Sequence, residues 1–195
     1  MPEQGAGEKI KGGLLMLKKI FLLLVLGLLP FTPLAGGADP APAEYCQADE
    51  DGEKRPGDRA ALAGVEVGRI FWDVTIADPW ALAGRLGVIE ETYCDMVRQG
   101  VTPEMVLAFR GGATRLLNAD PQHLPEELRE GAAEVQRHLQ TMLERPGVQM
   151  EACYIAMGRV PLEPENLMPG VKAVGNTFLS AMGYGQKGYV SIPIY

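Results

Sequence analysis

The sequence predicts an α/β domain of three layers, in which helices cover both faces of a mostly parallel sheet of about five strands. Three observations support this fold class. Short segments rich in β-branched and aromatic residues alternate with longer segments whose apolar residues recur every three or four positions. The segment at residues 105–109 is continuously apolar, as in strands covered on both faces. Glycine, proline and aspartate separate the segments, and this alternation builds βαβ units around a parallel sheet.

Residues 1–38 predict a secretory signal peptide. Lys18 and Lys19 precede an apolar run at residues 20–29, and small residues follow. This order is typical of an export signal, and the run is shorter than the roughly 20 apolar residues of a membrane span. We therefore expect a mature protein in the periplasm or outside the cell, without stable membrane insertion. A retained amphipathic anchor is the alternative.

The most favourable cleavage site follows Ala38, and residues 41–43 form an alternative site. Met16 is an alternative start to Met1, because it opens a signal peptide of ordinary length. The chain carries a net charge of −7, and removal of the basic leader makes the remainder more acidic. An acidic protein without a basic cluster is not expected to bind nucleic acid.

Residues 39–68 predict a flexible lead-in, because proline, alanine, glycine and charged residues leave little apolar area to bury. The folded domain is expected at residues 69–195, with its first strand at residues 69–76. Asp78 is expected to cap the next helix. Pro79 is tolerated at the first helical position, because a backbone N–H there would have no partner within the helix. The apolar face of this helix comprises Leu82, Leu86, Ile89, Tyr93 and Met96.

The centre of the chain predicts a second strand at residues 105–109, a turn at 110–112, a helical turn at 113–117 and a helix at 125–143. Residues 149–157 then predict a buried strand, with glycine and proline on both sides of it. Reactive groups in a parallel sheet gather at the carboxyl ends of the strands. This strand is expected to bring a cysteine to that edge.

The last part of the chain predicts a helical turn at residues 162–169, a fourth strand at 171–174, a short helix at 178–184 and a final strand at 188–195. Pro193 has no backbone N–H to donate. The final strand is therefore expected at an edge of the sheet.

The chain has three cysteines, and an exported protein is expected to pair them. Our hypothesis pairs Cys46 with Cys94, which ties the lead-in to the first helix, and leaves Cys153 free. A free cysteine is often a small buried core residue. The alternative is a nucleophile, favoured by the strand-end position of Cys153 and by Arg159 nearby in the sequence, since a cation lowers a thiol pKa.

Four segments resemble the DsrE/DsrF-like proteins: residues 109–117, 148–157, 167–171 and 186–189, in matching order and spacing within residues 69–195. The resemblance implies a flavodoxin-like α/β sandwich that assembles into homotrimers or homohexamers. It also implies sulfur trafficking, in which a cysteine at the end of the third strand carries sulfur as a persulfide between proteins. Cys153 matches that position, so a sulfur donor protein and an acceptor protein are implied partners.

The turn formed by Arg110, Gly111 and Gly112 is the second candidate site. Backbone N–H groups at a helix amino end, with Arg110 and Arg115 nearby, suit a small anion such as a sulfur oxyanion. The alternative is a plain strand-to-helix turn that needs glycine for its backbone angles. Asn176, after the fourth strand, is expected either to line the same edge of the sheet or to cap the next turn.

The sequence predicts no cofactor and no metal site. His123 and His138 lack the spacing of metal ligands, and no phosphate loop, dinucleotide fingerprint or Ser-His-Asp arrangement occurs. A thiol oxidoreductase is disfavoured because the chain has no Cys-x-x-Cys pair. Asp73 interrupts an apolar strand and belongs to a functional site, a polar sheet end or a subunit contact. Two functions remain: a sulfur carrier or transferase acting through Cys153, or a non-catalytic oligomeric binding module with that cysteine buried.

Overall fold

The computed structural model describes Cys46 and residues 56–195. The predicted signal peptide, its cleavage site and most of the predicted lead-in lie outside these residues. None of the helices in the described part of the chain is long and apolar enough to cross a membrane.

The described residues form a parallel sheet of five strands in the order β4-β3-β2-β1-β5. The strands are β1 (Val67–Val74), β2 (Thr102–Phe109), β3 (Val148–Cys153), β4 (Val171–Val174) and β5 (Val190–Ile194). Helices cover both faces of the sheet. The predicted three-layer α/β class is therefore confirmed, and the arrangement is consistent with a flavodoxin-like sandwich.

The order of the strands decides which helix covers which face. The helices are α1 (Arg59–Leu62), α2 (Pro79–Arg98), α3 (Glu126–Leu143), α4 (Tyr154–Met157) and α5 (Thr177–Gln186), with 3-10 turns at Gly111–Leu117, Pro121–His123 and Pro164–Asn166. The strands β1 to β4 follow one another toward one edge, and the chain then returns to place β5 beyond β1. Because parallel crossovers are right-handed, this return places its connecting helix on the opposite face. Accordingly, α2 and α3 pack together on one face, and α5 covers the other.

The helix α2 forms as the sequence predicts. Its first residue is Pro79, and the Asp78 carboxylate accepts a hydrogen bond of 2.8 Å from the backbone N–H of Ala81. All five residues of the predicted apolar face are buried. The helix ends before Gly100, whose φ of +78° is a left-handed conformation that favours glycine.

The first strand begins before the predicted residue 69, and a short helix precedes it. β1 starts at Val67, and the carbonyl of Glu66 already accepts a hydrogen bond of 2.9 Å from Thr102 N–H. The helix α1 lies within the predicted lead-in, and Asp58 beside it exchanges two hydrogen bonds with Gln99. Polar contacts fix this segment, and α1 buries none of its residues. A search for apolar periodicity therefore misses it.

The predicted strand at residues 149–157 is wrong in its second half. β3 ends at Cys153, and the chain turns directly into α4. The N–H of Gly158 closes this helical turn on the carbonyl of Tyr154, at 3.0 Å. A short continuous apolar run fits a strand and a buried helical turn equally, so the pattern does not locate the change. Cys153 is consequently the last residue of its strand.

The fourth strand has the predicted bounds, Val171–Val174, and several other boundaries differ from prediction by a few residues. β2 begins at Thr102, because the apolar run marks only its buried part. The helical turn expected at residues 162–169 is limited to Pro164–Asn166. Pro193 lies in β5, which is an edge strand as predicted.

The disulfide hypothesis is confirmed. Cys46 and Cys94 are bonded, with their Cα atoms 5.3 Å apart, and Cys153 is a free cysteine. The bond attaches the chain ahead of the domain to α2, 48 residues later in the sequence.

Aromatic packing and one partly buried hydrogen bond hold α5 on the sheet. The ring of Tyr184 lies 5.8 Å from that of Phe71 and 4.9 Å from that of Tyr189. Its hydroxyl donates to the Glu151 carboxylate at 3.1 Å. Burial, together with the charge of Glu151, raises the pKa of Tyr184 to about 12. The phenol therefore stays protonated near neutral pH and keeps this hydrogen bond, which helps to fix the position of α5.

Candidate functional site

Side chains from neighbouring strands meet at the carboxyl edge of the sheet, on the face that α5 covers. The register places Asp73 of β1 level with Ala108 of β2 and Glu151 of β3. Arg110 and Cys153 lie two residues further along, so the alternation of side chains puts them on the same face. The turn after β4 leads into α5 at this same edge.

A cavity of about 160 Å³ opens at this edge. Four of the predicted site residues line it, namely Arg110, Gly111, Cys153 and Asn176. The other lining residues are Ile155, Ala156, Arg159 and Phe178. The fold thus brings the predicted thiol and the predicted anion-binding turn into one cavity, which we call the thiol cavity.

Gly112, the fifth predicted site residue, is not among the residues that line the thiol cavity. A Cβ atom at Gly112 would lie 2.6 Å from the Cβ of Ala77, so glycine allows two segments to pack closely. Gly111 lines the cavity and has a φ of +59°, which glycine adopts without strain. Backbone geometry therefore explains the glycine pair, and only Gly111 also presents backbone to the cavity.

Cys153 lies on the wall of the thiol cavity with 5% of its surface exposed. Burial is the largest single influence on its pKa and raises it, but the sum of the hydrogen bonds lowers the pKa below its ordinary value. These hydrogen bonds come from the N–H and hydroxyl of Thr177 and from the N–H groups of Ala156 and Ile155. A thiol whose surroundings favour the thiolate is prepared for nucleophilic attack or for carrying an anionic sulfur.

Thr177, the first residue of α5, provides the hydrogen bonds that most strongly lower the pKa of this thiol. The residue is 2% exposed, and its hydroxyl forms no well-shaped hydrogen bond within the described residues. The hydroxyl nevertheless acts on Cys153 and lowers the pKa of the thiol. A buried hydroxyl without a partner is unfavourable, and a thiolate at Cys153 would offer it an acceptor.

The amino end of α5 reinforces this effect. Asn176 caps the helix, because its side chain accepts a hydrogen bond of 2.9 Å from the N–H of Phe178. This leaves the N–H of Thr177 directed at Cys153. The partial positive charge of a helix amino end favours a nearby anion. Asn176 therefore both lines the cavity and caps the helix, so that the two predicted roles coexist.

Arg110 is fixed by Asp73 and Phe178. Its Nε and Nη2 atoms donate to the two carboxylate oxygens of Asp73 at 2.6 and 2.7 Å, and its guanidinium carbon lies 5.0 Å from the centre of the Phe178 ring. The hydrogen bond to Asp73 raises the pKa of Arg110, and the charge of Cys153 acts in the same direction. The negative charge of Asp73 thus partly offsets the positive charge of Arg110. The remaining N–H groups of Arg110 stay available to an anion.

Arg159 supplies a second cation at the thiol cavity. The sequence places it near Cys153, and the structure confirms that it lines the same cavity. Its side chain is exposed and forms no ion pair among the residues that the structure describes. The hydrogen bonds from Thr177 and α4, and not this arginine, dominate the lowering of the Cys153 pKa.

Sequence reasoning misses Thr177 and Phe178 as site residues. Both follow Asn176, whose capping role is predictable, so the amino end of the last helix is a signal that was available. The pairing of Asp73 with Arg110 joins β1 to the residue that follows β2, and no pattern within either segment specifies it. It does explain why an aspartate interrupts an otherwise apolar strand.

Apolar side chains surround the opening of the thiol cavity. Ile155 and Phe178 line the cavity and are 49% and 64% exposed. Tyr154, Leu179 and Met182 extend this exposed group over α4 and α5. We call these five residues the apolar rim. Exposed apolar groups of this kind, next to polar functional residues, mark interaction surfaces.

Metal-ligand geometry is not found in residues 56–195 or at Cys46: no group of three or more His, Cys, Asp or Glu side chains converges there. His123 lies 3.4 Å from the carboxylate of Asp120, and His138 lies 2.6 Å from that of Glu90. Each of these two histidines thus has a nearby carboxylate.

Comparison with known proteins supports the fold and assigns no activity. No model of a known protein family matches the chain. An uncharacterized protein from Aquifex aeolicus (strain VF5) is 25% identical over 125 residues, which cover 64% of this chain and 55% of that protein. The chain therefore spans about half the length of this relative. A solved structure of a protein of unknown function from Methanobacterium thermoautotrophicum superposes with a TM-score of 0.50 and 13% identity, covering 65% of this chain and 99% of the other.

Proposed function

We propose that this protein is an exported sulfur carrier, in which Cys153 holds sulfane sulfur as a persulfide and passes it to an acceptor. The observation that carries the proposal is the environment of this thiol. Cys153 lies in a small cavity with two arginines, and hydrogen bonds lower its pKa. The resemblance to DsrE/DsrF-like proteins agrees with this role.

The chemistry requires no oxidant. The thiolate of Cys153 attacks the outer sulfur of a donor R–S–SH, the S–S bond breaks, and the donor leaves as R–S⁻. Cys153 becomes a persulfide, whose outer sulfur is then attacked by an acceptor thiolate in the same type of exchange. With thiosulfate as donor, the leaving group is sulfite. Each exchange conserves charge and sulfur atoms.

The chain's own residues stabilise the charged partners of this exchange. The N–H and hydroxyl of Thr177 favour the anionic sulfur before transfer. Arg110 and Arg159 offer N–H donors to an anionic donor or leaving group in the thiol cavity. Asp73 holds Arg110 in position and limits the net positive charge. Whether the protein is a carrier or a transferase depends on whether it binds donor and acceptor in turn.

We further propose that the apolar rim is covered by other copies of the chain, in a homotrimer or homohexamer. The rim lies on α5 and α4, beside the cavity, and its side chains are 49% to 64% exposed. A self-assembled ring of copies would shield these side chains and narrow the entrance to Cys153. Export to the periplasm or outside the cell agrees with the Cys46–Cys94 disulfide, because such bonds persist in oxidising compartments.

The second candidate function is a non-catalytic binding or assembly module. It is favoured by one observation, the 5% exposure of Cys153. The two functions differ in a direct test. The purified protein is incubated with thiosulfate or glutathione persulfide, desalted and treated with cyanide, which releases sulfane sulfur as thiocyanate. A sulfur carrier releases about one thiocyanate per chain and none from Cys153→Ala, whereas a binding module releases none from either protein.

A further inference from the structure

We infer that a second, larger cavity holds the body of the sulfur donor, and that this donor is a low-molecular-weight organic persulfide bearing carboxylates. This inference rests on the proposed function of Cys153. The cavity has a volume of about 450 Å³ and shares one lining residue, Arg159, with the thiol cavity. We call it the donor cavity. Its other lining residues are Arg115, Asn118, His123, Leu124, Pro125, Val160, Pro161 and Leu162.

The volumes of the two cavities indicate which part of the donor each cavity would hold. Small-molecule pockets usually measure about 300–1,000 Å³. The thiol cavity, at about 160 Å³, is below this range and has room only for the reacting end of an organic molecule. The donor cavity, at about 450 Å³, lies within the range. A molecule that binds with its body there and its sulfur toward Cys153 uses both spaces and passes Arg159.

The walls of the donor cavity specify an anionic ligand with an apolar part. Five of the nine lining residues are apolar: Leu124, Pro125, Val160, Pro161 and Leu162. Arg115 and Arg159 add two guanidinium groups, and neither forms an ion pair with a carboxylate of the described residues. The exposed His123 is the lining residue with an acidic neighbour, since it lies 3.4 Å from Asp120.

Arg115 gives the most specific indication. Among the described residues, its buried Nε atom has no hydrogen-bond partner, and its Nη2 donates one long hydrogen bond of 3.4 Å to the carbonyl of Ala77. A buried charged donor without a partner is unfavourable. Arg115 lines the donor cavity and has no carboxylate partner among the described residues. Carboxylates bind guanidinium groups through paired hydrogen bonds, so a ligand carboxylate in this cavity would supply the ion pair that Arg115 lacks. The unpaired guanidinium of Arg115 therefore favours a carboxylated organic persulfide as the donor. Thiosulfate would bind in the thiol cavity alone, without contacting Arg115.

The test uses the mature protein with its disulfide intact. S-methylglutathione, which bears carboxylates and cannot transfer sulfur, serves as a binding probe in calorimetry. Glutathione persulfide and thiosulfate serve as sulfur donors, and thiocyanate release measures loading of Cys153. The variant is Arg115→Gln, and the matched control is Arg137→Gln. Arg137 is an exposed arginine of α3 paired with Glu134, and it lines neither cavity.

We expect Arg115→Gln to weaken binding of S-methylglutathione about tenfold or more, the effect of losing one charged hydrogen-bond pair. It should slow loading from glutathione persulfide by a similar factor and change loading from thiosulfate by less than about twofold. Arg137→Gln should match the wild type in each measurement. Equal binding by the wild type and Arg115→Gln overturns the inference, as does absence of binding to the wild type.

A second pair of variants decides the matter if Arg115→Gln does not fold. Val160 is half-buried and lines the donor cavity but not the thiol cavity. Val160→Glu places a negative charge beside Arg115 and Arg159 and should weaken binding of S-methylglutathione, whereas the neutral Val160→Gln should do so much less. Equal binding by these two variants contradicts an anionic ligand.

The outcomes separate the two proposals. If Cys153 takes up sulfur from thiosulfate while S-methylglutathione does not bind, the carrier function stands and the donor cavity is assigned wrongly. If Cys153 takes up sulfur from neither donor while S-methylglutathione binds through Arg115, the carrier function fails and an anion-binding cavity remains.

Discussion

The guanidinium of Arg110 donates two hydrogen bonds, of 2.6 and 2.7 Å, to the carboxylate of Asp73, one to each oxygen. This pair joins the ends of two adjacent strands and stands beside the free thiol of Cys153. Arg110 raises the positive potential at the sulfur, and Asp73 reduces it. The charges of Arg110 and Asp73 therefore act on the sulfur in opposite directions, and substitution of each residue tests its effect separately.

Removing the two partners of this pair should change the reactivity of Cys153 in opposite directions. Asp73→Asn removes a negative charge, favours the thiolate and should speed alkylation by iodoacetamide at neutral pH about two- to fivefold. Arg110→Gln removes a positive charge and should slow alkylation by a similar factor. The measurement is the alkylation rate as a function of pH. Changes of the same sign in both variants would contradict the charge balance.

Thr177 should control the pKa of Cys153 without supporting the fold. Thr177→Val keeps the shape of the side chain and removes the hydroxyl, so it should raise the pKa of Cys153 and slow alkylation at neutral pH about three- to tenfold. The sign follows from the hydrogen bonds of Thr177, which lower this pKa in the wild type. Alkylation should therefore reach its plateau at a higher pH in this variant.

The control for this prediction is Thr177→Ser, which keeps the hydroxyl and should restore the pH profile of the wild type. The hydroxyl is buried and has no hydrogen-bond partner in the part of the chain that the structure describes, so Thr177→Val should unfold at the same denaturant concentration as the wild type or at a higher one. A strongly destabilised Thr177→Val with an unchanged pH profile would show that the residue serves only packing.

The Cys46–Cys94 disulfide should contribute to stability. The bond closes a loop of 48 residues, and such a cross-link restricts the unfolded chain, with a typical effect of about 2–4 kcal/mol. Cys46→Ser should lower the free energy of unfolding by this amount in chemical denaturation. A reducing agent should have the same effect on the wild type and no further effect on Cys46→Ser. A larger loss in reduced Cys46→Ser would show that another disulfide is present.

The apolar rim should determine the oligomeric state. Leu179 is 62% exposed on α5, and Leu179→Glu places a charge in the proposed contact between copies. The wild type should have the mass of a trimer or hexamer in light scattering, and Leu179→Glu should dissociate at protein concentrations at least about tenfold higher. Val88→Glu is the matched control, because Val88 is 53% exposed on α2, in the other helix layer. A monomeric wild type, or equal dissociation in both variants, would contradict the proposed contact.

Most of the fold follows from local patterns in the sequence. The periodic apolar face of α2, the Asp78 cap and the proline in the edge strand each specify a local structure that the tertiary fold retains. The exceptions have physical causes. The end of β3 at Cys153 lies inside one apolar run, and apolarity does not distinguish a strand from the helical turn that follows.

The sequence predicts several individual residues of the site, but it predicts fewer of the contacts between them. Cys153, Arg110, Gly111 and Asn176 each adjoin a recognisable strand end or turn, and the parallel sheet gathers them at one edge. Thr177 acts on Cys153 from the start of α5. Its role therefore depends on how α5 packs on the sheet, and not on its neighbours in the sequence. The donor cavity likewise joins residues from separate turns.

The central claim is that Cys153 accepts and carries one sulfur atom, and intact-protein mass spectrometry measures this directly. The oxidised protein, with its Cys46–Cys94 bond intact, is incubated with a sulfane-sulfur donor and analysed without reductant. We predict a mass increase of one sulfur atom, located on the peptide containing Cys153, absent from Cys153→Ala and reversed by an acceptor thiol. An unmodified Cys153 at every donor concentration, in a protein that is folded and carries its disulfide, would contradict the claim.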